Sequence, residues 1–157
     1  MNAKREQQRG RPPRLANVFI ADPIYFITFC TWRKVSLLAS CDVVNAFCQA
    51  AHDAQVHAIA VGKYVIMPDH IHCFIRVGGE GRIGLAVKAL KRAITKVVHA
   101  AQKDVHVWQE GFFDHVLRSA ESYSEKWEYV RANPVRAGLV KNVEEWPFQG
   151  EVETIRW

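Results

Sequence analysis

The sequence contains no apolar run of the ~18 residues that a membrane-spanning helix requires. Its N-terminus is charged and rich in glutamine, unlike the apolar segment of a secretory signal peptide. Because both features are absent, we expect a cytoplasmic location. At 157 residues with 49% hydrophobic side chains, the chain suits one domain with a sizeable core.

Cysteine is scarce, and its spacing does not favour a structural metal site. The four cysteines are Cys30, Cys41, Cys48 and Cys73. No two of them form a Cys-x-x-Cys pair, so a zinc ribbon is not expected. We interpret them as reduced and mostly buried thiols.

Acidic residues are fewer than basic ones, at 16 against 21, which gives a net charge of +5. This balance favours an anionic partner such as nucleic acid. Basic residues concentrate near the N-terminus and on one face of a predicted helix. The candidates for phosphate contact in these segments are Arg5, Arg9, Arg11, Arg14, Lys88, Arg92 and Lys96. The alternatives are a solubilising tail and an ordinary solvated helix face.

The periodicity of apolar residues predicts seven elements in the order βαββαβα. Predicted strands cover 24–32, 56–67, 70–77 and 105–117, and predicted helices cover 41–55, 83–101 and 119–133. This order matches a ferredoxin-like α+β fold, an antiparallel sheet with helices packed on one face. We expect a basic flexible arm over 1–17, the domain over 18–140 and a C-terminal tail over 141–157.

Two histidines stand two residues apart after a Pro-Asp turn. Residues i and i+2 of a β-strand point to the same face, so His70 and His72 would lie side by side while Ile71 points into the core. Two neighbouring imidazoles on a rigid strand are candidate metal ligands. The alternative is a pair of polar residues on a solvated strand face.

The last predicted helix carries two tyrosines that point in different directions. Tyr123 shares an apolar stripe with Trp127 and Val130, so we expect it in the core. Tyr129 lies about 120° away around the helix axis, and Asn133 follows one turn later on the same side. A hydroxyl and an amide could therefore join the histidines in one polar cluster. The alternative is a surface tyrosine and an asparagine at a helix end.

Several stretches of the chain resemble a known family. Residues 67–72 (MPDHIH) before an apolar strand resemble the His-hydrophobe-His motif of single-tyrosine HUH transposases. Residues 112–118 (FFDHVLR) and 129–140 (YVRANPVRAGLV) resemble a narrower bacterial branch, the REP-associated tyrosine transposases. Residues 28–33 (TFCTWR) also fit, and the resemblance covers roughly residues 14–140. The sequence departs from the family pattern at two positions. Asp69 stands where asparagine is also common, and Phe113 stands where a polar residue can occur.

The resemblance implies a set of catalytic and metal-binding residues. The paired histidines of the family bind a divalent ion, and they correspond to His70 and His72. The family's nucleophile corresponds to Tyr129, and the third metal ligand corresponds to Asn133. Two imidazoles and an amide oxygen suit Mg²⁺ or Mn²⁺.

The resemblance also implies a reaction on DNA. The expected activity is that of a metal-dependent single-strand DNA endonuclease and strand transferase. It would act on REP-type palindromic hairpins through a covalent 5′-phosphotyrosine, in association with the bacterial nucleoid. Asp114 and His115 match a family pair that supports either the active site or only the fold. Whether the chain acts as a monomer or a homodimer stays open.

Further residues could hold the DNA. In the C-terminal half the candidates for phosphate contact are Arg118, Arg131 and Arg136. Trp32, Trp108 and Phe112 could stack on unpaired bases, with core packing as the alternative. A tyrosine fixed on a helix needs an exposed backbone, so the substrate would be single-stranded DNA or a hairpin with an unpaired flank.

Other functions remain open at this point. One is a host-adopted DNA hairpin-binding module with little catalysis. Another is a nickase of the relaxase or replication-initiator type, some of which use two tyrosines on one helix face. The divergent directions of Tyr123 and Tyr129 disfavour that option. An RNA-binding ferredoxin-like domain would leave the histidine pair unexplained.

Overall fold

The computed structural model describes residues 22–79 and 81–157. The predicted arm over 1–17, with Arg5, Arg9, Arg11 and Arg14, lies outside the described residues. The strands are β1 (Ile24–Cys30), β2 (Ile59–Ile66), β3 (His70–Val77), β4 (Phe113–Val116) and β5 (Gln149–Glu151). The helices are α1 (Cys41–Asp53), α2 (Ile83–Ala101), α3 (Ala120–Arg131) and the short α4 (Asn133–Arg136).

The strands form an antiparallel sheet in the order β4-β1-β3-β2-β5, with β3 at its centre. The predicted α+β fold with an antiparallel sheet is confirmed. Within the described part of the chain, no helix is long and apolar enough to cross a membrane.

Alternation along β3 gives the sheet two faces that are covered differently. Ile71, Cys73 and Ile75 are fully buried in the core on the face that α1 and α2 cover. Phe74 points to the other face, where its ring centroid lies 4.7 Å from that of Tyr123 on α3. The expectation that helices pack on one face therefore holds for α1 and α2. Helix α3 packs on the opposite face because the apolar side chains there also need cover.

The predicted strand over 56–67 is shorter in the structure. Residues Ala54–His57 form a 3-10 turn, and Ala58 adopts the left-handed conformation with φ 57°. Strand pairing therefore begins only at Ile59. The alternation of Val56 and Ala58 with polar residues resembled a strand, but Val56 is in fact highly exposed.

The predicted strand over 105–117 is mostly irregular. Continuous pairing covers only Phe113–Val116, and upstream of it a single bridge joins Trp108 to Thr31. The ammonium group of Lys91 on α2 donates to the carbonyls of Gln109 and Gly111, at 3.1 and 2.6 Å. These bonds tie the loop to α2.

The helix predicted over 119–133 is divided in two. The Ser119 hydroxyl caps α3 by accepting a hydrogen bond from the Ser122 amide at 3.0 Å. Helix α3 ends at Arg131, and Pro134 lies in the first turn of α4, where a missing amide proton costs nothing. Asn133 therefore stands at the start of a new helix, one turn after Tyr129.

The segment over 141–157, which the sequence set apart as a tail, packs against the domain. Strand β5 pairs with β2 through Tyr64↔Gly150 and neighbouring residues. Trp146 is only 8% exposed, and its indole N–H donates to the Ile66 carbonyl at 3.1 Å. Trp146 and Ile155 join the core between the sheet and α3.

Trp146→Ala should lower the free energy of unfolding by about 3–5 kcal/mol, the usual cost of removing a buried large aromatic side chain. Trp157→Ala is the matched control. Trp157 is 53% exposed, so its removal should change stability by no more than about 0.5 kcal/mol. Urea denaturation of both variants measures the difference. Equal stabilities would contradict a structural role for the C-terminal segment.

Candidate functional site

His70 and His72 lie on the sheet face to which Phe74 also points, the face that α3 partly covers. Their ring centroids are 4.7 Å apart, edge to face. The Nδ1 atom of His70 lies 2.6 Å from Oδ1 of Asp69. A carboxylate oxygen accepts hydrogen bonds, so Nδ1 of His70 donates to Asp69, and Nε2 is the ring nitrogen left for another partner.

His72 is fixed from two sides. Its Nδ1 lies 2.7 Å from the Thr28 hydroxyl oxygen, and its ring stacks on Phe26 with centroids 5.3 Å apart. The pKa of His72 is lowered to about 3, and burial is the main cause. The charges of the neighbouring histidine, Lys126 and Arg136 act in the same direction. At neutral pH the imidazole of His72 is therefore uncharged.

Tyr129 and Asn133 are held together by Arg136. The Tyr129 side chain is 64% exposed, and the Arg136 guanidinium lies over its ring at 4.2 Å from the centroid. Nη2 of Arg136 donates to the Tyr129 carbonyl at 2.7 Å and also to Oδ1 of Asn133. We call Tyr129, Asn133 and Arg136 the tyrosine cluster.

Tyr123 has a different environment from Tyr129. It is half-buried against Phe74, and the ammonium group of Lys63 lies 5.7 Å from its ring centroid. Burial raises the pKa of Tyr123 to about 12, so its phenol stays protonated near neutral pH. The expectation that Tyr123 belongs to the core and Tyr129 faces outward agrees with these positions.

The tyrosine cluster and the histidine pair share one face of the sheet. Arg136 lies near enough for its charge to act on His72. Among the described residues, Tyr129 makes no hydrogen bond or ring contact with either histidine. In the described ranges no three His, Cys, Asp or Glu side chains are grouped to hold a metal ion. An ion at the histidine pair would therefore need an amide, water or phosphate oxygen as well.

Asp114 and His115, predicted as possible support, point to opposite faces of the sheet. His115 pairs with Phe26, so it lies on the face of the histidine pair, where it is exposed. Asp114 pairs with Ile27 and so lies on the face that α1 and α2 cover. Strand alternation thus separates the pair, and only His115 is on the side of the candidate site.

The predicted phosphate contacts are divided between the two sides of the domain. Lys88, Arg92 and Lys96 are exposed on α2, across the sheet from the histidine pair. Arg131 is held by Glu128 and Glu144, at 3.4 and 3.0 Å. Arg118 is exposed between β4 and α3. Arg136 contacts Tyr129 directly, as described above.

The residues of the site that were not identified from the sequence include Thr28 and Lys126. Thr28 bonds His72 only because β1 and β3 pair in the register Thr28↔His72, which no local pattern reveals. Lys126 lies with its ammonium group 5.2 Å from the Phe26 ring centroid, close to His72. Its place on the inner side of α3 could have been inferred from its position one turn before Val130.

Comparison with known proteins gives a family match. The family model described as Transposase IS200 like matches residues 23–133. A REP-associated tyrosine transposase of Escherichia coli (strain K12) is 30% identical over 89 residues, which are 56% of this chain and 52% of that protein. The chain thus aligns with about half the length of this relative.

Two further comparisons extend over more of the chain. A Haemophilus influenzae protein that carries the provisional name of REP-associated tyrosine transposase is 23% identical over 142 residues. This match covers 83% of this chain and 80% of the relative. The solved structure of a REP-associated tyrosine transposase bound to a REP hairpin aligns with a TM-score of 0.68 and 23% identity. That alignment covers 87% of this chain and 81% of the other. This last likeness establishes a shared fold.

Proposed function

Because the chain belongs to the IS200-like transposase family, we propose that it cleaves and rejoins single-stranded DNA at REP-type hairpins through Tyr129. One observation carries this proposal. Helix α3, which bears the exposed Tyr129, packs through Tyr123 on the sheet face that presents His70 and His72. An exposed tyrosine and a pair of imidazoles are thus on one side of one chain.

Tyr129 would act as the nucleophile. Its phenolic oxygen attacks the phosphorus of a phosphodiester, a bond forms between them, and the bond to the 3′ oxygen breaks. The phenol proton passes to solvent and the leaving 3′ oxygen takes up a proton, which gives a 5′-phosphotyrosine and a free 3′-OH. Because the new linkage is again a phosphate diester, the reverse reaction joins strands without ATP.

Arg136 would deliver the phosphate to the tyrosine. Its guanidinium already lies over the Tyr129 ring and is exposed. A guanidinium matches two phosphate oxygens and is the preferred side chain for such contacts. When a DNA phosphate binds Arg136, the amide oxygen of Asn133 is released from its present hydrogen bond.

The residues around His70 and His72 fit a divalent metal ion. The carboxylate of Asp69 orients His70, the hydroxyl of Thr28 orients His72, and the lowered pKa keeps His72 neutral. We propose that both histidines hold Mg²⁺ or Mn²⁺ and that Asn133 joins them once Arg136 has moved to phosphate. When bound, such an ion neutralises charge on the scissile phosphate.

Thr28→Val should weaken Mn²⁺ binding about 10- to 100-fold, the usual effect of losing a hydrogen bond that orients a ligand histidine. Valine keeps the shape of threonine but lacks the hydroxyl that holds Nδ1 of His72. Isothermal titration with Mn²⁺ measures the change. Thr28→Ser retains the hydroxyl and should bind like the wild type. Unchanged affinity in Thr28→Val would contradict the role of this contact.

The proposed function is tested by incubating an end-labelled REP-type hairpin, with an unpaired flank, with the protein and Mn²⁺. A denaturing gel should show a covalent protein–DNA adduct. If the hairpin binds but no adduct forms, the chain is a DNA-binding module and the catalytic proposal is wrong.

A further inference from the structure

Phe113 is an exposed aromatic residue in the first position of β4, which forms an edge of the sheet. Its side chain is 61% exposed. Single exposed apolar side chains are common on protein surfaces, so exposure alone carries no argument. The position of Phe113 relative to the histidine pair is the informative feature.

Strand register places Phe113 in one row with His72. Phe113 pairs with Thr28 on β1, and Thr28 pairs with His72 on β3. Directly opposed residues of antiparallel strands point to the same face. At ~4.8 Å between neighbouring strands, the backbone of Phe113 lies about 10 Å from that of His72.

The outer end of this row is not covered by α3. Helix α3 reaches β1, where the ammonium group of Lys126 lies 5.2 Å from the Phe26 ring centroid. On β4, in contrast, both Phe113 and His115 are exposed on the same face. Phe113 is thus an accessible apolar surface beside the histidine pair.

The charges nearby suit a nucleotide. Lys126 and Arg136 both act electrostatically on His72, so a phosphate at the histidine pair would lie in a positive environment. Stacked bases in a DNA strand are ~3.4 Å apart. A separation of about 10 Å between His72 and Phe113 therefore corresponds to only a few nucleotides.

Other aromatic residues suit stacking less well. The indole N–H of Trp108 donates to the Thr95 hydroxyl at 2.9 Å, and Trp108 and Phe112 are both half-buried. Trp32 is exposed, but its ring is contacted by His106 at 4.9 Å between centroids.

We propose that Phe113 is a stacking platform for a base in the unpaired flank, within a few nucleotides of the phosphate that Tyr129 attacks. The inference rests on the proposed function, because it assumes that this phosphate binds at the histidine pair. Phe113 would fix the position of the flank while the phosphate is held at Arg136. A base of any kind can stack on a phenyl ring, so Phe113 would favour unpaired DNA over a closed duplex without reading sequence.

The test uses a hairpin with an unpaired flank that carries 2-aminopurine, a base whose fluorescence falls when it stacks. The parent protein is Tyr129→Phe, which binds without cleaving. Adding Phe113→Ala should weaken hairpin binding about 5- to 100-fold and restore the 2-aminopurine fluorescence. Adding Phe113→Trp instead should leave both the affinity and the quenching close to those of the parent. Leu85→Ala, an equally exposed apolar residue on α2 across the sheet, should change neither. The Phe113→Ala variant and the parent protein should bind a hairpin without the flank equally tightly.

Equal affinity of Phe113→Ala and the parent for the flanked hairpin would overturn the stacking proposal. An equal loss with the flankless hairpin would also overturn it, since the effect would then not depend on an unpaired base. If either result overturns the stacking proposal but the protein with Tyr129 intact still forms the adduct, the proposed function is retained. If no adduct forms but quenching depends on Phe113, the stacking stands and the catalytic proposal falls.

Discussion

Tyr129→Phe should reduce formation of the covalent protein–DNA adduct by at least about 10³-fold, because it removes the oxygen that we propose attacks the phosphorus. The measurement is the rate at which an end-labelled hairpin moves to the protein band on a denaturing gel. Hairpin affinity should be nearly unchanged, since the substitution removes one exposed oxygen. Stability should also change by no more than about 0.5 kcal/mol.

Tyr123→Phe is the matched control, because it removes the same atom from the same helix. Tyr123 is half-buried against Phe74, and burial raises its pKa to about 12. The adduct should therefore form in Tyr123→Phe at close to the rate of the wild type. Loss of the adduct in Tyr123→Phe with retention in Tyr129→Phe would show that the two roles are reversed.

His72→Ala should slow adduct formation by about 100-fold or more. Charge neutralisation by a metal ion at a phosphoryl oxygen is worth several kcal/mol, and each 1.4 kcal/mol is tenfold in rate. The same variant should lose measurable Mn²⁺ binding in isothermal titration, a readout that does not depend on catalysis. Chelation of metal from the wild type should have a similar effect on the rate.

His52→Ala provides the control for histidine removal. His52 is exposed on α1, across the sheet from the histidine pair, so neither Mn²⁺ affinity nor adduct rate should change. Circular dichroism during heating will establish that His72→Ala is folded at the assay temperature. A folded His72→Ala protein that binds Mn²⁺ and forms the adduct normally would contradict the assignment of the metal site.

Local patterns in the sequence predicted the parts of the site that depend on one element alone. The spacing of two residues between His70 and His72 places both rings on one strand face. In the structure their ring centroids are 4.7 Å apart. The helical angle between Tyr123 and Tyr129 separates a core tyrosine from an exposed one. In each case strand or helix geometry fixes the direction of the side chain without reference to the rest of the fold.

The parts that depend on pairing between distant strands were not predictable in this way. Thr28 supports His72 only through the register of β1 with β3, and His115 rather than Asp114 lies on the histidine face only because of the register in which β4 pairs with β1. The C-terminal strand β5 is three residues long and includes a glycine, too short for a period-2 pattern. The strand pairs with β2 and follows the buried Trp146, and neither contact is a local property.

The cover of the sheet is another nonlocal feature. Helix α3 has a weak apolar stripe, with Val130 its one fully buried side chain among the described residues. Tyr123 and Trp127 are half-buried against Phe74. A sequence pattern of this kind does not indicate which face of the sheet the helix will cover. Its position on the histidine face decides whether Tyr129 can serve the same site.

The most direct test of the central claim is to identify the amino acid that becomes linked to DNA. Adduct formed with the wild-type protein and a flanked hairpin is digested with protease and nuclease, and the modified peptide is sequenced by mass spectrometry. We predict a 5′-phosphonucleotide on the peptide that contains Tyr129, with the Tyr123 peptide unmodified. A nucleotide attached to any other residue, or the absence of a modified peptide under conditions in which the hairpin is cleaved, would contradict the proposed mechanism.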